Sequence, residues 1–389
     1  MWQLVKSLSG FDISGGLMQV TAPGKLMLSG EWSVLEVGVP CVVMAIDQKV
    51  GAEINPSESI TFNAPDLGLE NISGIFDGKK LNWGGTLDTK AIEKLSVAKN
   101  AIELSMAYLQ SKGKNPKLFK MNTFSSDTLA QLPDGKTAKV GFGSSAAVCV
   151  AIVGAILKFN GINLTDKKIK DVVFKTACTA HYLAQGKVGS SFDIAASTYG
   201  GALVYTRFDP AWLVKEMASG KSVAEIMDED WPAFTAENIS LPKKFELLVG
   251  FVGYSASTKE LILKLNSFKE GQKEHYWQII NSIKRITTEL IQAIKENNEV
   301  KIAETLKQNR KQLQDLSNSS QNNLETKELA LLADIAEKNG CAGKFSGAGG
   351  GDCGIAISFD KNKSDAIRKE WVANKIVPLN VKIDFKGVN

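Results

Sequence analysis

Residues that bind transition metals or form disulfide bonds are scarce in this sequence. It contains only two histidines, His181 and His275, and its five cysteines include no Cys-x-x-Cys pair. Zinc sites need clusters of such ligands at close spacing, and a disulfide framework needs paired cysteines. We therefore expect a cytoplasmic protein with reduced cysteines and without a transition-metal centre.

Long apolar segments and an excess of one charge are missing as well. The 46 basic and 42 acidic residues leave a formal net charge of +4. The longest apolar run, Ala146 to Leu157, is much shorter than the ~20 residues that span a bilayer, and the first residues lack the pattern of a secretory signal. We expect a soluble protein with neither a membrane nor a nucleic-acid partner, although a basic cleft for an anionic small molecule is compatible with this charge.

The length of the chain predicts two domains. Its 389 residues, 44% of them hydrophobic, exceed the ~250 to 300 residues at which a single core stops growing. We place the boundary in the polar stretch 220–244, which gives an N-terminal domain over 1–243 and a C-terminal domain over 244–389. Strand patterns dominate residues 1–60 and return at 353–359 and 379–385, with helical spacing at 89–111 and 165–185, so we predict an α+β fold.

A loop rich in glycine and serine, "GFGSSA" at 141–146, precedes the long apolar run. Glycine lets backbone N–H groups approach an oxyanion, and a helix N-terminus favours negative charge, so the loop is a candidate anion site. It matches the glycine pattern of dinucleotide-binding loops, which also need an acidic residue ~20 positions later. The first acidic residue after this loop, Asp166, already lies on the next predicted helix. From these residues alone, a tight turn with a serine that caps the helix remains the alternative.

Three further stretches contain candidate functional residues, and each also has an interpretation without a function. "APGKLMLSGEW" places Lys25 after a Pro-Gly turn, where a solvated surface lysine is also common. "AQGKVGSSFDIAASTYGG" places Asp193 among small residues, where many aspartates only cap a helix. "KFSGAGGGDCGIAI" has four glycines in five positions, which indicates a required backbone geometry or the close approach of another group.

Taken in chain order, these four motifs resemble those of the GHMP kinases, the family of galactokinase, homoserine kinase and mevalonate kinase. Within it, "AQGKVGSSFDIAASTYGG", "RFDPAWL" and "GYSASTKELI" are most similar to phosphomevalonate kinases. The resemblance implies a ribosomal-S5-like N-terminal domain and a ferredoxin-like C-terminal domain. It also implies transfer of the γ-phosphoryl of ATP to (R)-5-phosphomevalonate, with Mg2+, in the mevalonate pathway.

The same resemblance assigns roles to residues. It makes Lys25 and Asp193 catalytic residues and Ser145 a ligand of Mg2+. It implies that the ATP phosphates bind at Lys139, Gly141, Gly143, Ser144, Ser145 and Ala146. It implies that the acceptor binds at Lys25, Lys187, Ser190, Asp193, Ser255, Ser257, Thr258, Ser346, Gly347, Gly349 and Gly350.

Two positions depart from the family pattern. His181 stands where mevalonate kinases have a Mg2+-binding glutamate, so the metal would rest on Ser145 and water, or on Asp193. Ser191 stands where the family usually has glycine, which would alter the acceptor pocket if that position needs a positive φ. Mevalonate kinase, another small-molecule kinase of the family and a ligand sensor without turnover remain alternatives, and monomer and homodimer are both open.

Overall fold

The computed structural model describes residues 17–125, 129–186, 189–254 and 258–389. The strands are β1 (Met18–Ser29), β2 (Pro40–Pro56), β3 (Ile60–Ala64), β4 (Leu69–Phe76), β5 (Leu81–Trp83), β6 (Phe119–Ser125), β7 (Leu129–Gln131), β8 (Thr137–Lys139), β9 (Ala202–Thr206), β10 (Thr235–Ile239), β11 (Glu246–Phe251), β12 (Ala342–Phe345), β13 (Cys353–Ser358) and β14 (Val377–Leu379). The helices are α1 (Thr89–Ser111), α2 (Ser144–Phe159), α3 (Lys167–Ala184), α4 (Phe192–Tyr199), α5 (Pro210–Ala218), α6 (Val223–Asp228), α7 (Thr258–Gly271), α8 (Lys273–Lys295), α9 (Glu299–Ser319), α10 (Lys327–Lys338) and α11 (Lys361–Ala373).

An eight-stranded sheet organises the N-terminal half. Its strand order is β10-β9-β2-β6-β3-β4-β5, and β1 pairs with β2. The β1–β2 pair is apolar along most of its length because both of its faces are buried. Met27 and Ala45 pack into a core with α1, α2 and α3, whereas Leu26 and Met44, one position away, face the C-terminal half. Strand alternation thus makes this pair a wall between two cores.

A four-stranded sheet, ordered β12-β13-β11-β14, organises the C-terminal half. Leu248 of β11 packs on one face with residues of α10 and α11. Its neighbour Val249 packs on the other face with residues of α8, α9, β1 and β2. The two halves therefore share a hydrophobic core, which holds the loops of one half in place against the loops of the other.

The last residues of the chain return to the first sheet. Asn389 exchanges two backbone hydrogen bonds with Thr21, at 3.0 and 3.1 Å, and Val388 is buried in the core beneath α2. The predicted strand at 379–385 is only partly present, because β14 ends at Leu379 and Ile383 makes an isolated bridge to Ile46. Residues 382–384 bond to β2 and to Gly201 instead of extending their own sheet.

Two other expectations from the sequence are confirmed. The helix predicted over 89–111 is α1, and the α+β composition is that of the structure. All five cysteines are buried and unbridged. Among the described residues, no helix combines the length and apolarity needed to cross a membrane.

Candidate active site

The glycine loop lies where α2 begins, at the boundary between the two halves. Gly143 is the N-cap residue of α2 with a φ of +81°, a left-handed conformation that costs other residues about 1–2 kcal/mol. Phe142 is buried in the core that the halves share, whereas Ser145 in the first turn is exposed. The first N–H groups of a helix have no partner within it and carry the positive end of its dipole. This end of α2 is therefore suited to bind an anion.

Lys25 of β1 reaches this loop. Its Nζ donates a hydrogen bond to the Gly141 carbonyl at 2.9 Å, and its backbone N–H donates to the Phe142 carbonyl, also at 2.9 Å. A Cβ on Gly24 would lie 3.0 Å from the same Phe142 oxygen, so a larger residue there would push the loop away. The Pro-Gly-Lys sequence is thereby explained, since Gly24 admits the loop and Lys25 places an ammonium group beside it.

Asp193 lies in the first turn of α4. Its Oδ1 accepts the N–H of Ile194 at 3.0 Å, and Ser197 ties the helix to β1 by donating to the Pro23 carbonyl at 2.7 Å. A Cβ built on Gly143 would lie 3.3 Å from Lys25 Cε and 3.7 Å from Asp193 Cβ. Lys25 and Asp193, the two predicted catalytic residues, therefore both lie against Gly143 at the open end of α2.

Ser191 has the positive φ that its departure from the family glycine put in question. It is the N-cap residue of α4 with a φ of +62° and is buried. A serine in this conformation carries about 1–2 kcal/mol of backbone strain that a glycine would not. Such strain is found preferentially at functional sites, where the surrounding structure maintains it.

His181 of α3 connects to the first turn of α2. Its Nε2 lies 3.2 Å from Ser145 Oγ and 3.1 Å from Gln185 Nε2. Because the amide nitrogen of Gln185 can only donate, Nε2 accepts and the ring proton is assigned to Nδ1, so the Ser145 hydroxyl also donates to the ring. Burial lowers the pKa of His181 from its ordinary value, and the nearby Asp193 opposes this only in part. The ring is therefore neutral at pH 7, and the lone pairs of Ser145 are left for a cation.

The oxygen atoms around this helix end fit a magnesium ion that arrives with a nucleotide. Mg2+ is usually held by one or two protein oxygens, several waters and the substrate phosphates. The Ser145 hydroxyl and the Asp193 carboxylate are the oxygens that the site offers. Within the described residues no cluster of three or more His, Cys, Asp or Glu side chains could hold a metal ion, so the nucleotide would have to supply the remaining ligands.

The glycine-rich stretch before β13 packs against β1. Ser346 Oγ accepts the N–H of Met27 at 2.8 Å and donates to its carbonyl at 3.0 Å. Gly347, Gly349 and Gly350 all have φ between +74° and +87°. The N–H of Gly350 donates to the Leu324 carbonyl at 2.7 Å. The glycines therefore form a compact turn that Ser346 attaches to the strand carrying Lys25.

The structure describes five of the eight remaining predicted residues. Lys139 is exposed at the end of β8, just before the glycine loop, and Ser144 and Ala146 belong to the first turn of α2. Ser190 is buried, and its carbonyl accepts the Tyr205 hydroxyl at 2.7 Å. Three predicted acceptor-site residues, Lys187, Ser255 and Ser257, lie outside the described residues. A fourth, Thr258, is the first residue of α7.

Sequence reasoning missed two contacts that join the halves at this site. Glu31, six residues after Lys25, forms a buried ion pair with Lys344 of β12. Burial raises the pKa of Glu31 and lowers that of Lys344, and their mutual attraction opposes both changes. Asp352 closes the glycine run and accepts the N–H of Gly141 at 2.9 Å. The only signal in the sequence was a charged residue at either end of a glycine-rich motif.

Comparison with known proteins identifies the class of protein to which this fold and site belong. The model of the GHMP kinase N-terminal domain matches residues 96–201, and the model of the C-terminal domain matches residues 290–376. The chain belongs to the GHMP kinase family.

Two kinds of kinase are among the relatives of similar sequence. The phosphomevalonate kinase of a Streptomyces species is 28% identical over 376 residues, which are 94% of this chain and 97% of that protein. The mevalonate kinase of Pyrococcus abyssi is 30% identical over 380 residues, 96% of this chain and 97% of that protein. The structure of Streptococcus pneumoniae phosphomevalonate kinase in complex with phosphomevalonate and AMPPNP has the same fold, with a TM-score of 0.77 at 24% identity over 94% of this chain and 99% of that one.

Proposed function

We propose that this protein is a phosphomevalonate kinase, which transfers the γ-phosphoryl of ATP to (R)-5-phosphomevalonate and releases 5-diphosphomevalonate and ADP. The observation that carries the proposal is the meeting of Lys25 and Asp193 against Gly143, at the N-terminus of α2. Phosphoryl transfer demands positioning and neutralisation of charge more than covalent chemistry from the protein. The site meets that demand with the ammonium group of Lys25, the carboxylate of Asp193 and the N-terminus of α2, which lie around Gly143.

Each group has a task in the transfer. An oxygen of the acceptor phosphate attacks the γ-phosphorus of ATP while the bond to the β–γ bridging oxygen breaks, and ADP leaves. The N–H groups at the start of α2 bind the phosphates of ATP, and Lys25 neutralises charge on the transferred group. Asp193 orients Lys25 or the metal. Mg2+ held by the Ser145 hydroxyl and the Asp193 carboxylate would supply positive charge that neutralises the phosphates.

The neutral ring of His181 favours a phosphate over an alcohol as the acceptor. A phosphomonoester has a second pKa near ~6 and is mostly dianionic at pH 7, so it needs no general base to remove a proton. The main obstacle to its reaction is the electrostatic repulsion between the acceptor phosphate and the phosphates of ATP. Mevalonate kinases carry a glutamate at the position of His181, and this chain has one negative charge less where the two phosphate groups must approach each other.

The experiment measures ADP release from ATP with mevalonate, 5-phosphomevalonate, 5-diphosphomevalonate, homoserine and galactose offered in turn. We expect turnover with 5-phosphomevalonate that exceeds turnover with every other acceptor. Faster turnover with mevalonate would instead support the second candidate, mevalonate kinase, which the 30% identity to the Pyrococcus abyssi enzyme keeps in view. Nucleotide binding without ADP release from any acceptor would indicate a ligand sensor.

A further inference from the structure

The backbone N–H and carbonyl of Gly141 are each held by a residue far away in the chain. Its carbonyl accepts a hydrogen bond from Lys25 Nζ at 2.9 Å, and its N–H donates to Asp352 Oδ1, also at 2.9 Å. Lys25 belongs to the first strand, whereas Asp352 belongs to the glycine turn of the C-terminal half. The conformation of the candidate ATP-phosphate loop therefore depends on a contact between the halves.

The absence of a side chain at Gly141 is what admits this contact. A Cβ at that position would overlap Asp352 Oδ2 and would lie 2.8 Å from its Cγ. Gly141 itself is exposed, so its amide would be open to water without the carboxylate. The first glycine of the loop is thus required for the approach of Asp352.

The backbone of Asp352 is strained in a way that places its carboxylate. Its φ is +66°, a conformation that aspartate and asparagine tolerate better than most residues. Its N–H donates to the Tyr254 carbonyl at 2.5 Å, and its carbonyl accepts the N–H of Val252 at 3.0 Å. The three residues just before Asp352 are glycines with positive φ, and a glycine at 352 would also avoid the strain. The presence of an aspartate instead indicates that its side chain has a function.

Opposing effects act on the charge of the Asp352 carboxylate, and burial is the larger one. Burial raises the pKa of Asp352, and the N–H of Gly141 and the charge of Lys25 act in the opposite direction. An anion placed between a loop N–H and Lys25 occupies the kind of environment that a nucleotide phosphate would use nearby.

We propose that Asp352 is a positioning residue for ATP: from the C-terminal half it holds the Gly141 peptide, and through it the phosphate loop, in the conformation that binds the nucleotide. This inference rests on the proposed kinase function, because it assigns the loop to ATP phosphates. It adds a residue that contacts neither ATP nor the acceptor and acts through Gly141.

The test compares two substitutions that separate the carboxylate from the backbone strain. Asp352→Gly removes the acceptor oxygen but suits the positive φ, so this variant should fold. Asp352→Asn keeps an acceptor oxygen and tolerates the same backbone. The control is Asp88→Ala, which removes a similar bond from a carboxylate to a backbone N–H, that of Ala91 at 2.7 Å, at the start of α1.

Two measurements are made on each full-length protein. Hydrogen–deuterium exchange of the peptide 139–146 without nucleotide reports the bond to Gly141, and calorimetry reports the Kd for AMPPNP with Mg2+. In Asp352→Gly we expect exchange at Gly141 and the Kd both to rise about ten-fold or more, the loss typical of a hydrogen bond to a charged group. Asp352→Asn should stay within about three-fold of wild type, since the bond is retained. Asp88→Ala should match wild type in both.

Wild-type exchange and Kd in Asp352→Gly would overturn the inference, as would equal impairment of the Asn and Gly variants. Failure of the kinase proposal has a different signature. A wild-type protein that binds AMPPNP but phosphorylates no acceptor would refute the proposed reaction, while the exchange and binding data would still decide the role of Asp352.

Discussion

Replacement of Gly143 by alanine should lower turnover because the new Cβ displaces Lys25. A Cβ at this position would lie 3.3 Å from both Cγ and Cε of Lys25 and 3.7 Å from Asp193 Cβ. The contacts with Lys25 are tighter than usual, so that side chain must shift by a few tenths of an ångström. A displacement of about 1 Å at a reacting centre can cost about 10²-fold in rate, and this smaller shift should cost less. The φ of +81° adds about 1–2 kcal/mol of backbone strain. We expect kcat to fall by about ten-fold.

The other end of α2 supplies the matched control. Gly161 has the same φ of +81°, but a Cβ there would meet nothing within 4 Å. Gly161→Ala should therefore add backbone strain without a steric contact. We expect its Tm to decrease by a few degrees and its turnover to equal that of wild type. The assay is steady-state ADP release alongside thermal unfolding of both variants. If Gly143→Ala and Gly161→Ala lose turnover equally, the reasoning about space at the site is wrong.

Three further predictions address charge. Lys25→Ala should lower kcat by at least ~10²-fold in a folded protein, as when one preorganised charge-stabilising donor is lost, and near-normal turnover would remove Lys25 from the mechanism. Asp193→Asn should lose activity at every pH yet keep both limbs of the pH–rate profile, because a phosphate dianion needs no base; a missing limb would identify Asp193 as the base. Although burial alone would raise the pKa of Asp384, its ion pair with Lys49 at 2.8 Å and two backbone N–H groups hold that pKa below the usual value. Asp384 should thus stabilise the protein above pH ~4, and this stabilisation should be lost as the pH falls. In Asp384→Asn, the free energy of unfolding measured in urea should therefore decrease less between neutral and acid pH than in wild type. An unchanged decrease would contradict this prediction.

Local features of the site were accessible from sequence because local physics sets them. The spacing of apolar residues predicts α1 from Thr89 to Ser111, as observed. The glycines before Ser144 and Ser145 mark a loop that enters a helix, and the order of four motifs identifies the family. The concern about Ser191 was also well placed, since a glycine in relatives indicates a positive φ and Ser191 has one.

Contacts between distant residues could not be predicted in the same way. Asp352 and Gly141 are 211 positions apart, and Glu31 and Lys344 are 313 apart. Neither pair has a signature within its own motif, because each meets only when the two halves pack through their common core. The segment 379–385 shows the same limit, since its alternating pattern suits a strand but the first sheet offers it other partners.

The chain thus specifies its helices, its turns and its family through patterns that act over a few residues. The relative placement of Lys25, Asp193 and Asp352 around one glycine loop comes from tertiary packing. Burial on both faces of the β1–β2 pair is the physical reason, because it joins the two halves in a single orientation and so decides which carboxylate meets which N–H group.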